Sequence, residues 1–199
     1  MFSGLCELVE TSPCRKAYDN MLSALNPDAA FPSNVFLGEW NEYLFLESDR
    51  LFDGDFAEAL ARLLKAEGAS AACLAKLSGG VAFSKSGVIC FNLTTKGSDY
   101  EDRLTAGSPG KAWLYSMGRY AGASDVGNWC IYCERNNEIA VVGVRDADIL
   151  TKLRPALSLL KAEPFSVQSG RDDWIERYPF HCLPVTWRDQ LVESYGRPV

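Results

Sequence analysis

Residues 128 to 142 read NWCIYCERNNEIAVV, and within them Trp129, Cys130 and Cys133 form a Trp-Cys-x-x-Cys. Two thiols at that spacing can exchange a disulfide when the first sits at a helix N-terminus, where free N–H groups and the helix dipole lower its pKa. The following residues, ERNNEIAVVGV, read instead as a turn and a strand. Residues three apart on a strand point to opposite faces, so Cys130 and Cys133 are expected to face apart. Pro184, in CLPVTW, is the one candidate for a proline facing such a site. A thiol–disulfide oxidoreductase using Cys130 and Cys133 is therefore the alternative reading, and two structural cysteines in a strand are the first. Zinc would need two further ligands. His181 and Cys182 are adjacent, but a second spaced pair is missing, so no metal is expected.

Other reactive groups are sparse. His181 is the only histidine, which leaves one possible base for any Cys/His nucleophile pair. Carboxylates crowd GEWNEYLFLESDRLFDGD, where Glu39, Glu42, Glu47, Asp49, Asp53 and Asp55 alternate with aromatics. Two such acids could serve a glycosidase, but acids at a strand edge and a helix start commonly just solubilise. Their functional version is recognition, with Glu39, Trp40, Glu42, Tyr43, Glu47 and Asp49 offered to a basic protein partner. The glycines form neither a phosphate loop nor a dinucleotide fingerprint, and G-x-S-x-G and H-E-x-x-H are absent. No cofactor is expected.

These groups must be carried by elements that the patterning suggests. Ser12-Pro13 suits the start of a helix through CRKAYDNMLSAL. GDFAEALARLLKAEG places Phe56, Leu60, Leu63 and Leu64 on one stripe, with Asp55 as cap and Gly68 as stop. AACLAKL and GVICFNL read as short strands around a Gly/Ser-rich turn. SDYEDRL opens a helix that AWLYSMGRYAG is expected to resume. WCIYCE and EIAVVGV form a hairpin around Asn136-Asn137. DADILTKLRPALSLLKAE is helical, with Pro155 bending or restarting it. Two late helices, RDDWIERYPF and TWRDQLVESYG, follow, and Thr186 with Asp189 resembles a capping box. Hairpins alternating with helices predict an α+β fold. It has one mainly antiparallel sheet with helices packed against it, in a single domain over residues 1–199, with 165–199 as a C-terminal arm.

At 199 residues, 47% hydrophobic and 23% charged, the chain can bury one sizeable core. A net charge of -6 and the lack of a basic stripe argue against nucleic acid and favour basic partners. No apolar run approaches the ~20 residues of a membrane span, and the N-terminus lacks the pattern of a secretory signal. Both point to the cytoplasm. Seven cysteines, several within apolar runs, are expected to be reduced and buried.

WCIYCERNNEIAVVGVRDADIL, residues 129 to 150, resembles the small bacterial immunity proteins of polymorphic toxin systems. There an aromatic W-x-I-Y-x-E-R strand precedes an EIAVVG-type strand and then a helix. The resemblance covers roughly a tenth of the chain and carries over no catalytic residue. It implies a cytosolic, non-enzymatic protein that blocks one toxin. A structural or accessory subunit, phage- or secretion-associated, is a further possibility.

Overall fold

The structure is a computed structural model and describes residues 12–77, 87–108, 112–164 and 183–196. Cys6, His181, Cys182 and the helix expected in RDDWIERYPF lie outside the described residues. The fold is α+β. Among the described residues, seven strands form one antiparallel sheet. They are β1 (Glu42–Glu47), β2 (Ala71–Leu77), β3 (Val88–Asn92), β4 (Arg119–Ser124), β5 (Trp129–Glu134), β6 (Ile139–Val144) and β7 (Glu163–Pro164). Their order is β3-β2-β4-β5-β6-β1-β7. The helices are α1 (Pro13–Ala24), α2 (Gly54–Glu67), α3 (Gly97–Thr105), α4 (Ala147–Leu159) and α5 (Val185–Tyr195).

Strand alternation divides the core into two layers. On one face, Leu44, Leu74, Phe91, Tyr120, Ile131, Cys133 and Val142 meet the apolar sides of α2, α3 and α4. On the other, Phe45, Cys73, Ala121, Cys130, Tyr132 and Val141 meet α1, the 25–36 segment and α5. Both faces are covered, so the central strands β5 and β6 read as nearly continuous apolar runs.

Helix ends follow local chemistry. Ser12 caps α1, its Oγ accepting from Arg15 N at 3.2 Å, with Pro13 at the first helical position. The cap of α2 is Asp53, accepting from Phe56 N at 3.2 Å, and Asp55 falls in the first turn instead. Gly68 ends α2 at φ 74, a left-handed conformation that glycine adopts without a Cβ penalty. The β5–β6 connection is a short turn over Arg135–Asn137, and its positive φ falls on Glu138 rather than on an asparagine. Helix α5 starts after Pro184 without a side-chain cap, so Thr186 lies inside the helix.

AWLYSMGRYAG does not resume α3. It gives one tight turn, Trp113–Tyr115, and then β4. The small residues of β4 have weak strand propensity, but the slot between β2 and β5 selects them. A Cβ at Gly122 would sit 2.3 Å from the Cys73 carbonyl oxygen of β2.

Candidate functional site

The Trp-Cys-x-x-Cys lies wholly within β5. Cys130 belongs to the layer beneath α1, and Cys133 to the layer beneath α2 and α4. Both are fully buried. Burial pushes both thiols well above the ordinary cysteine range, with Arg135 partly offsetting it at Cys133. The sheet separates the two sulfurs, and neither has the electropositive, accessible setting that makes a thiolate reactive.

The cysteines are not all reduced, as the sequence had suggested. Cys14 at the start of α1 is disulfide-bonded to Cys90 on β3, with Cα atoms 5.9 Å apart. The two positions are separated by 76 residues, and nothing in local spacing marks them as partners. Cys73, Cys130 and Cys133 are free and buried.

The acidic and aromatic set around β1 divides between the two ends of the strand. At about 3.3 Å of rise per residue, Glu42 and Glu47 lie roughly 17 Å apart. Near the first end, Glu39 is exposed, but Trp40 is built into the fold. Its indole N–H donates to the Leu37 carbonyl at 2.9 Å, the Arg145 guanidinium stacks on its ring at 4.2 Å, and Phe36 packs at 5.1 Å. Tyr43 lies between Phe36 and Tyr195, at 5.5 and 5.1 Å. Both rings are half-buried packing groups, and Glu42 is half-buried beside them.

The second end holds a different arrangement. Arg135, its side chain 10% exposed, stacks on Phe52 at 4.3 Å. One of its terminal nitrogens donates to the Leu114 carbonyl at 2.6 Å and lies 3.4 Å from that of Ser116. The other meets Asp49 at 3.1 Å. Tyr120 adds a hydroxyl donated to the Ser116 carbonyl at 3.1 Å. A single buried guanidinium thus fixes the 113–116 turn against the residues that follow β1. Tyr115 and Met117 project from this support and are 63% and 57% exposed. Glu138 is held alongside, since its carbonyl accepts from Ser48 N at 3.0 Å. Asp49 therefore lies at the foot of the turn that carries Tyr115, whereas Glu47, paired to Arg50 at 3.7 Å, falls by strand alternation on the side of β1 that Phe45 faces.

Of the six expected recognition residues, only Asp49 is tied to this turn, through Arg135; Glu47 lies at the same end of β1 but on the Phe45 side, and Glu39, Trp40, Glu42 and Tyr43 lie toward the other end. Sequence reading missed Tyr115, Met117 and Arg135. The available signal was WLYSM, a glycine-flanked run of large apolar residues that fits neither a clean helical nor a strand period. No group of three or more potential metal ligands is present among the described residues. No helix among them is long and apolar enough to cross a membrane. No family model, curated protein or solved structure matches this chain.

Proposed function

We propose that this chain is a non-enzymatic protein-binding module, an immunity or inhibitor protein that occludes a basic toxin or effector. The observation that carries the reading is the display of Tyr115 and Met117, 63% and 57% exposed, on a turn pinned from beneath by Arg135. A turn whose backbone is fixed before binding loses little backbone entropy on association, and large exposed side chains on it supply the anchors that dominate interface energetics. Asp49, held by Arg135 beside this turn, and the exposed Glu138 complement Lys and Arg on the partner, which speeds encounter and fixes orientation. The resemblance of residues 129 to 150 to immunity proteins agrees with this reading. The thiol–disulfide alternative draws no support from the geometry, because the two sulfurs lie in separate core layers.

The test is calorimetric titration against the product of the neighbouring open reading frame. A one-to-one complex is expected, weakened about tenfold or more when Tyr115 and Met117 are both changed to Ala, at unchanged Tm. Failure to associate, or an affinity indifferent to both substitutions, would remove the proposal.

A further inference from the structure

Three cysteines from three elements converge at the edge of the sheet. Cys90 on β3 is bonded to Cys14 on α1. Directly opposite Cys90, in the β2–β3 register, stands Cys73. Lys76 N donates to the Gly87 carbonyl at 3.1 Å, which identifies the 76/87 position as a hydrogen-bonded pair. Pair types alternate along an antiparallel ladder, so Cys73 and Cys90 occupy a non-hydrogen-bonded pair. There the Cα atoms approach to about 4.5 Å and the side chains lie closest. That spacing is within the range a disulfide bridges. Cys73 and Cys90 both face the α1 layer, as Cys14 does.

We propose that Cys90 is a thiol-exchange site whose sulfur trades between Cys14 on α1 and Cys73 on β2, replacing the helix-to-sheet crosslink with one inside the β2–β3 hairpin. The step balances without an oxidant. The Cys73 thiolate attacks Cys90 Sγ, the Cys73–Cys90 bond forms as Cys90–Cys14 breaks, and Cys14 leaves as a thiolate that takes up the proton Cys73 gave. One disulfide and one thiol are present before and after. A monothiol such as glutathione catalyses the same exchange by first capturing Cys90 and then being expelled by Cys73. The exchange releases the first turn of α1 from the edge strand.

The resting state favours the Cys14 link kinetically. Cys73 is 1% exposed, and burial pushes its thiol up to about 12, with Asp19 adding to the effect. The titratable groups facing it are Tyr18 and Asp19 of α1 and Cys130 of β5 beyond Ala123, while Cys90 of β3, opposite it, is held in the disulfide. The thiolate fraction of Cys73, and with it the uncatalysed rate, rises about tenfold per pH unit across the neutral range.

The experiment uses the full oxidised chain, held from about pH 7 to 9 with and without substoichiometric glutathione. Samples are alkylated in denaturant, digested without reduction and read by mass spectrometry. A Cys73–Cys90 peptide is expected to grow as Cys14–Cys90 falls, with Cys14 newly alkylated and the uncatalysed rate rising about tenfold per pH unit. In a Cys14→Ser variant treated with glutathione disulfide, Cys90 is expected to bridge to Cys73. If the wild-type chain only keeps or loses the Cys14 link, and no Cys73–Cys90 peptide forms at any pH, the proposal is overturned whether or not the variant folds. Cys90 ending as a glutathione adduct in a folded variant, with Cys73 free, overturns it equally.

Discussion

Arg135 shows how one side chain can organise a surface it barely reaches. Its guanidinium serves backbone carbonyls of the 113–116 turn, while its partner Asp49 has 76% of its side chain in solvent. The carbonyl bonds are therefore worth more than the ion pair. Arg135→Met is expected to lower stability by about 2–3 kcal/mol, through stranded carbonyls. Asp49→Asn should cost under about 0.5 kcal/mol, because exposed pairs are screened. Urea unfolding of both variants checks this, and equal losses would show that the pair rather than the turn matters. Glu67 offers a pH test. Burial raises its carboxyl above the usual 4.5, opposed by a hydrogen bond from Asn128 N at 2.9 Å. A group raised in the folded state stabilises below its unfolded pKa, and that contribution is lost as pH rises through the folded value. Ionised Glu67 thus costs stability at neutral pH. Glu67→Gln should gain Tm relative to wild type as pH goes from about 4 to 7; a difference that stays flat with pH would count against this assignment.

At the scale of elements, β4 is the strand on which the sheet depends and the one that sequence reading took for a helix. RYAGAS offers alanine, glycine and serine where a central strand usually carries branched residues. Its pairing on both sides, to β2 and β5, replaces what propensity lacks. Gly122 is the tightest point, with room for a hydrogen but not for a methyl group against the Cys73 carbonyl. Gly122→Ala is expected to cost at least about 2 kcal/mol, as overpacking against backbone does. Thermal unfolding measures it, and a neutral result would mean that β2 and β4 separate freely. By contrast α2 was legible in full, because its stripe, its acidic start and its terminal glycine are all local features. Only the cap moved, from Asp55 to Asp53, since both acids suit a helix start and the geometry of the preceding turn selects between them.

For the molecule as a whole, the Cys14–Cys90 bond ties α1 in one layer to the edge of the sheet across 76 residues. Closing so long a loop restricts the unfolded chain, and the loss of the bond should cost about 2–4 kcal/mol. A Cys14→Ser/Cys90→Ser double variant compared with wild type in urea gives the value, and an unchanged midpoint would mean that packing alone holds α1. The bond also separates stability from recognition. Tyr115, Met117 and Arg135 lie near the opposite ends of the β4 and β5 strands from the Ser124–Asn128 turn that Asn20 of α1 contacts. Changes at the disulfide are therefore expected to leave partner affinity intact.

The sequence by itself determined the α+β class, the helix stripes of α1 and α2, and the strand that turns Cys130 away from Cys133. Each of these follows from periodicity or from chemistry within a few residues. The tertiary structure alone decided which thiols meet, that RYAGAS becomes a central strand, and that Tyr115 stands mostly in solvent while Trp40 is half-buried. Those outcomes depend on neighbours far along the chain: a buried guanidinium, a carbonyl against a glycine, a helix start beside an edge strand. No local pattern encodes a contact whose two halves are separated by 76 residues.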